Sequence, residues 1–217
     1  MIVALKKPKR PATVADLIES LDGIPPARIK LIPTPGKATI RDLEKPENKC
    51  CELISGTLVE KPMGWEESML AIWIAGKITT ILEETDLGHV TGPDGMYQFF
   101  PGRARGPDVA FIPWDRFPNG ERPTDAVPHV VPTLVVEVLS KSNTKKEMER
   151  KRHEYFDAGV LLVWEIDPKS RSAKAFTSPQ DFTTFTANGK LSAGSVLPGF
   201  TLSLKELFAR LDVRKKK

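Results

Sequence analysis

The chain has 217 residues, 40% of them hydrophobic and 28% charged, a composition typical of a globular protein with one main domain. No segment approaches the roughly 18 to 20 apolar residues that a membrane span needs, so we expect a cytoplasmic protein without a membrane partner. The net charge of +4 lies at the ends: KKPKR at 6–10 and RKKK at 214–217 hold eight of the 32 Lys and Arg, which leaves 24 against 28 Asp and Glu. Basicity alone therefore does not indicate nucleic-acid binding by the body of the chain.

The first 45 residues are predicted to be an extension. It comprises a basic arm, a short helix that starts after the N-cap Thr13, and a connector whose prolines at 25, 26, 33 and 35 disfavour regular structure. The main domain is predicted at 46–210, with a basic tail at 211–217. It begins with CCELI and TLVEK around Ser55-Gly56, a pattern that predicts a β-hairpin.

The remaining elements alternate between helix and strand. A long helix is predicted from Glu66 to about Glu84, and a second at about 144–158, which begins at Ser-Asn-Thr and ends at Ala-Gly. Strands are predicted at 96–100, 107–113, 133–139 and 161–167, followed by the hairpin segments SRSAKAFT and DFTTFT and a short C-terminal helix. This order predicts a mixed α/β or α+β fold with helices covering a central sheet.

One carboxylate stands out in the strand TLVVEVLS, residues 133–140. In an extended strand both faces of this segment are apolar except at Glu137. A buried ionised carboxylate costs several kcal/mol unless it is paired or binds a metal. Glu137 therefore needs a partner.

The partner suggested by the sequence is Asp108. In GPDVAFIPW this residue lies at the start of an apolar strand, whereas the other Pro-Asp, in GPDG at 92–95, is typical of a turn. On adjacent strands, Asp108 and Glu137 would converge on one hard cation. The two adjacent cysteines and three histidines lack the spacing of zinc sites, which favours oxygen ligands.

The helix after Glu137 offers a cation. Its apolar residues Met148, Tyr155, Phe156 and Ala158 form one stripe, and both Lys151 and Arg152 fall inside it. The remaining charged positions, Glu149, Arg150, His153, Glu154 and Asp157, fall on the other side. Periodicity does not choose between Lys151 and Arg152, and snorkelling at the helix edge would explain either.

A family resemblance adds to these patterns. The ordered series CELISGTLVEK, GPDVAFI, LVVEVLSKSNTK, ERKRHEYFDAGVLLVWEIDP and VLPGFTLSLKELF resembles the Uma-type restriction endonuclease family. That family is similar to the PD-(D/E)XK nuclease superfamily, and the match runs from about residue 12 to about 210. The resemblance implies a restriction-endonuclease-like core and metal-dependent hydrolysis of phosphodiester bonds.

The resemblance also implies residue roles. Asp108 and Glu137, with the backbone carbonyl of Val138, would hold Mg²⁺ or Mn²⁺, and Lys151 rather than Arg152 would be the catalytic cation. Glu52 would join the metal shell or accept a hydrogen bond from Lys151. The alternative interpretation of Glu52 is an exposed hairpin residue without a role in the site. Where the superfamily has lysine two residues after the strand acid, this chain has Leu139.

Other acids are alternatives to these. Glu66 and Glu67 open the long helix and could replace Glu52, although acids also favour a first helical turn for electrostatic reasons. Glu165 shares its strand face with apolar residues, but we expect it near water, because the strand ends two residues later. Asp167 is expected in a turn.

Two functions follow from these expectations. The first is a metal-dependent endonuclease acting on nucleic acid, with DNA the first candidate and a homodimer suggested if both strands are cut. The second is a catalytically silent domain that keeps the nuclease fold and binds nucleic acid or protein.

Overall fold

The computed structural model describes residues 13–21, 23–62 and 64–212. The predicted basic arm at 1–11 and the basic run at 214–217 lie outside these residues. The helices are α1 (Val14–Ser20), α2 (Ile40–Leu43), α3 (Trp65–Thr85), α4 (Lys145–Ala158) and α5 (Leu204–Phe208). The strands are β1 (Cys51–Ile54), β2 (Thr57–Glu60), β3 (Gly88–Thr91), β4 (Tyr97–Phe100), β5 (Arg103–Arg105), β6 (Val109–Pro113), β7 (Leu134–Val138), β8 (Leu162–Asp167), β9 (Ser172–Phe176), β10 (Phe182–Phe185), β11 (Lys190–Ser192) and β12 (Thr201–Ser203).

A six-stranded mixed sheet forms the centre, in the order β10-β9-β8-β7-β6-β3. Strands β7 and β8 are parallel and the other pairs antiparallel. A parallel pair needs a crossover connection, and α4 supplies it. Every residue of β7 is buried, which explains its nearly continuous apolar sequence. The predicted mixed α+β fold with a helix-covered central sheet is confirmed.

The two faces of this sheet have different covers. On one face, Val136 and Trp164 share an apolar cluster with residues of α3 and α5. On the other face, Val135 and Val163 share a cluster with Tyr155 of α4. The side chains of β7 therefore alternate between the two clusters.

A second, four-stranded antiparallel sheet has the order β2-β1-β5-β4. It also contacts α4: the ring of Phe99 on β4 packs edge-on against Tyr155 at 5.2 Å between centroids, and Glu52 on β1 pairs with Lys151. Because α4 contacts both sheets, charged residues on more than one of its faces are buried.

Local sequence signals explain the ends of α4. The hydroxyl of Thr144 accepts a hydrogen bond from the N–H of Glu147, and the Glu147 carboxylate accepts one from the N–H of Thr144, which is a capping box. Gly159 ends the helix at a φ of +103°, a conformation that side chains with a Cβ rarely adopt. The helix predicted at about 144–158 is confirmed.

Both predicted hairpins are confirmed as well. Strands β1 and β2 pair around Ser55 and Gly56, which adopt φ values of +50° and +73° as a tight two-residue turn requires. Strands β9 and β10 form the later hairpin and extend the central sheet. Strands β3, β5, β11 and β12 were not predicted, because three or four residues are too few for a clear alternation.

The segment before β1 packs on the first hairpin. The N–H of Lys30 donates to the carbonyl of Leu58, and the N–H of Ala38 donates to the carbonyl of Gly56. Arg28 reaches from this segment to Glu147 on α4. Among the described residues, no helix is long and apolar enough to cross a membrane.

Candidate active site

The structure brings Asp108 and Glu137 together. Strand β6 pairs with β7 so that Val109 faces Val136, and extending this register by one residue sets Asp108 opposite Glu137. Both side chains are buried on the side of the sheet that α4 covers. Asp108 Oδ2 accepts the N–H of Val138 at 2.7 Å, so the carboxylate continues the hydrogen-bond ladder where β6 begins and is fixed in place.

Lys151 lies over Glu137. Its Nζ is 3.2 Å from both carboxylate oxygens of Glu137 and 3.2 Å from Glu52 Oε1. Burial alone would lower the pKa of Lys151, but the charges of Glu137 and Glu52 outweigh burial and raise the pKa above its ordinary value. The ammonium therefore stays charged in a buried position.

Glu137 has an unusual electrostatic environment. Burial raises its pKa to about 7; the ammonium of Lys151 acts to lower the pKa, while the charge of Asp108 raises it further. The hydroxyl of Tyr155 donates a hydrogen bond to Glu137 Oε1 and orients the carboxyl group. Asp108 and Glu137 are thus two buried carboxyl groups that face each other. The positive charge of Lys151 is not enough to keep the pKa of Glu137 at its ordinary value.

Glu52 is buried rather than exposed, so its interpretation as an exposed hairpin residue is wrong. It accepts hydrogen bonds from Arg105 Nη1 at 2.9 Å and from the N–H of Gly106 at 3.3 Å, in addition to its ion pair with Lys151. Although burial alone would raise the pKa of Glu52, the charges of Lys151 and Arg105 lower it to about 2. Glu52 is therefore an ionised partner that positions Lys151.

Several members of this buried network were missed in the sequence. Arg105 Nε donates to Glu154 Oε2 at 2.7 Å, and Arg103 Nη1 lies 3.1 Å from Glu154 Oε1. Glu154 was expected on the polar side of the helix, which is wrong because the second sheet buries that side. Arginines two positions apart in GRARG would have been a signal, since such residues share one face of a strand.

Lys61 was missed too. This residue directly follows β2, and its Nζ lies 2.8 Å from Asp108 Oδ1 and 3.3 Å from the carbonyl oxygen of Pro93. The pairing of β1 with β2 places Lys61 at the site, and it continues one step past the strands, where the N–H of Lys61 donates to the carbonyl of Cys50. This pairing between strands is not visible in the sequence around Lys61.

Arg152 also points toward the central sheet and pairs with a different acid. Its Nη1 lies 2.6 Å from Glu165 Oε1. Glu165 occupies the position on β8 beside Glu137 on β7. The expectation that Glu165 lies near water is wrong, because the residue is buried. Lys151 and Arg152 therefore each neutralise one strand acid.

The remaining candidates, Glu66, Glu67 and Asp167, have other surroundings. Glu66 is exposed, and the carboxylate of Glu67 lies against Gly64 at the start of α3. Asp167 caps the turn after β8 by accepting the N–H of Lys169, as expected of a turn residue. In the part of the chain that the structure describes, no group of three or more His, Cys, Asp or Glu is arranged to hold a metal ion.

The donor set nevertheless fits one hard divalent cation through two carboxylates. Mg²⁺ is typically held by one or two carboxylates and keeps several waters. All three acids have cation partners, but Asp108 and Glu137 are the two that face each other on adjacent strands, and one lysine pairs with each of them. Glu52 is held by both Lys151 and Arg105. The residues that would hold such a cation are therefore Asp108 and Glu137.

Comparison with known proteins identifies the family and the fold. A sequence profile described as "Uma2: Putative restriction endonuclease" matches residues 38–205. The crystal structure of "a putative nuclease belonging to DUF820" from Anabaena variabilis superposes with a TM-score of 0.69 at 22% identity, over 80% of this chain and 98% of that chain, which supports the fold. No protein of curated function matches the sequence. The expected resemblance is confirmed, and the chain belongs to the Uma2 family.

Proposed function

We propose that the protein is a metal-dependent endonuclease that hydrolyses phosphodiester bonds, with DNA as its substrate. The observation that carries the proposal is the position of Asp108 directly opposite Glu137, with Lys151 3.2 Å from both oxygens of Glu137. Two acids and a cation at one end of a sheet are the groups that phosphodiester hydrolysis needs. The family's description as restriction endonuclease supports DNA over RNA.

In this proposal Asp108 and Glu137, with the carbonyl of Val138, hold Mg²⁺ or Mn²⁺. The bound cation would lower the pKa of a water molecule and polarise a phosphoryl oxygen. Tyr155 fixes the orientation of the Glu137 carboxyl group through its hydroxyl. Asp108 is fixed by the N–H of Val138.

Lys151 supplies the positive charge of the site. Its ammonium stabilises the negative charge that develops on the phosphoryl group, or orients the attacking water. Glu52 pairs with Lys151, and Arg105 in turn pairs with Glu52. This arrangement replaces the superfamily lysine, because position 139 is a leucine.

The test is cleavage of single- and double-stranded DNA and RNA in Mg²⁺ or Mn²⁺. Products should form with the intact protein and vanish with Glu137→Ala and with Lys151→Ala. Arg152→Met is the matched control, because Arg152 is the neighbouring helix cation and pairs with Glu165 instead. Cleavage that survives Lys151→Ala would contradict the assigned role.

A silent interaction domain is the second candidate. The observation that favours it is that each acid of the site is already paired with a cation: Asp108 with Lys61, and both Glu137 and Glu52 with Lys151. A silent domain would cut none of the four substrates. It would also show no heat of Mn²⁺ binding that depends on Glu137 in calorimetry.

We also propose that cutting both strands of a duplex requires two copies of the site and therefore a homodimer. Light scattering with and without duplex DNA tests this proposal. A protein that stays monomeric while it makes double-strand cuts would contradict it.

A further inference from the structure

The two carboxylates of the proposed metal pair each have their own ammonium group. Asp108 is paired with Lys61 and Glu137 with Lys151. Family resemblance assigned a role only to Lys151. Lys61 therefore has no role in the proposed reaction, although it touches the site as closely as Lys151 does.

The two lysines are held differently. Lys151 lies between two carboxylates, Glu137 and Glu52, and its side chain is 2% exposed. Lys61 has one carboxylate at 2.8 Å and one carbonyl oxygen, that of Pro93, at 3.3 Å, and its side chain is 8% exposed. Lys61 is thus the more easily released of the two and the nearer to solvent.

A cation bound at Asp108 would favour release of Lys61. One oxygen of Asp108, Oδ2, already accepts the N–H of Val138, which leaves Oδ1 as the oxygen with no backbone partner among the described residues. Lys61 occupies Oδ1. A divalent cation held by Asp108 and Glu137 would also repel an ammonium group at this distance, because like charges within a few ångströms repel strongly in a buried site.

We propose that Lys61 and the divalent cation compete for Asp108, and that the displaced Lys61 ammonium binds a phosphate of the nucleic-acid backbone. The inference rests on the proposed function, which supplies the cation and the substrate. In the metal-free protein Lys61 neutralises Asp108; in the metal-bound protein its flexible four-carbon stem lets the ammonium turn outward. Lys61 would then neutralise Asp108 in the metal-free protein and contact the substrate in the metal-bound protein.

The first test is calorimetric titration with Mn²⁺ alone, without substrate, on the intact protein and on Lys61→Met. Removing the competing ammonium should lower the Mn²⁺ dissociation constant by roughly 10- to 100-fold, the size expected for losing one charged hydrogen bond. A purely structural lysine would not give tighter binding when removed. If Lys61→Met does not fold, Lys61→Gln provides the same test, because it also removes the charge.

Lys30→Met is the matched control. Lys30 lies beside the same hairpin, pairs with Glu60 at 2.8 Å, and has a side chain that is 37% exposed. The substitution makes the same change in net charge close to the site without touching Asp108. Its Mn²⁺ affinity should equal that of the intact protein, which separates competition at Asp108 from a general change in charge.

The second test measures affinity for a labelled duplex DNA as a function of salt, in Ca²⁺ and in EDTA, with gels to verify that the DNA stays intact. In Ca²⁺ the slope of log affinity against log salt should be shallower by about one for Lys61→Met than for the intact protein, because one phosphate contact is lost. In EDTA the two slopes should agree, since Lys61 is then bound to Asp108.

The outcomes separate the two proposals. Unchanged or weaker Mn²⁺ binding by Lys61→Met, with normal binding by the intact protein, overturns the competition and leaves the proposed function standing. Equal slopes in Ca²⁺ overturn the phosphate contact. If the intact protein binds no Mn²⁺ at all, both this inference and the proposed function are overturned.

Discussion

Arg105 is the residue whose removal should damage the buried network most. Its guanidinium lies between two buried acids, with Nη1 2.9 Å from Glu52 Oε2 and Nε 2.7 Å from Glu154 Oε2. The substitution Arg105→Met keeps much of the apolar stem and removes the charge. Among the described residues, Glu154 would retain Arg103 and Arg150, and Glu52 would retain Lys151.

The magnitude follows from burial. Arg105 is 1% exposed, so its ion pairs are not screened by solvent. Breaking a buried ion pair by removing one partner costs about 3–5 kcal/mol, because the other charge is left uncompensated. For a protein of this size, that loss corresponds to a fall in Tm of roughly 6–20 °C.

Denaturant unfolding monitored by circular dichroism measures the effect. Arg103→Met is the control: this residue is on the same strand and contacts the same Glu154, but its side chain is 21% exposed, so the loss should be at most about 1 kcal/mol. The double variant Arg105→Met with Glu154→Gln should recover part of the stability, since one unpaired charge is removed. A loss below about 1 kcal/mol for Arg105→Met would refute the reasoning.

Three further predictions concern stability. The pKa of Glu52 is lowered to about 2, so its ionised form stabilises the fold above pH 4.5 by up to about 3 kcal/mol, and this contribution is lost as the pH falls toward 2. When the free energy of unfolding is measured against pH, Glu52→Gln should therefore reduce the loss of stability in acid, which we call the acid limb. The raised pKa of Glu137, about 7, means that this residue lowers stability as the pH rises from 4.5 to 7; Glu137→Gln should remove that decline in the same measurement. Arg28 makes two hydrogen bonds to the carboxylate of Glu147, so Arg28→Met should cost about 3 kcal/mol and make residues 23–45 the first site of limited proteolysis.

Each of these has a contradicting result. An acid limb unchanged in Glu52→Gln would mean that Glu52 titrates at its ordinary pKa. A pH profile unchanged in Glu137→Gln would mean the same for Glu137. If the protease first cuts the Arg28→Met variant outside residues 23–45, the contact between Arg28 and Glu147 does not hold this segment in place.

The central elements of the fold could be predicted because their signals are local. The capping residues Thr144 and Gly159 mark α4, and the apolar run of β7 marks a strand buried on both faces. Glu137 indicated a functional site because its signal is also local: it is an isolated carboxylate in an apolar strand. A charge in an apolar strand is costly wherever the strand is placed.

The rest of the site could not be predicted because it depends on contacts between distant segments. A helical projection assumes one buried face, but α4 contacts both sheets, so Glu154 is buried against Arg105 although the projection assigned it to solvent. Similarly, the choice between Lys151 and Arg152 has no single answer in the geometry: each reaches an acid, one on β7 and the other, Glu165, on β8.

The central claim is that Glu137 belongs to a hydrolytic metal site, and one comparison tests it most directly. Mn²⁺-dependent cleavage of duplex DNA should be measured side by side for the intact protein, Glu137→Gln and Glu165→Gln. The two acids are buried neighbours in the same register of parallel strands, and each pairs with a cation of α4. The account predicts that Glu137→Gln abolishes cleavage and Glu165→Gln retains it. Equal cleavage by both variants, or none by the intact protein, would contradict the account.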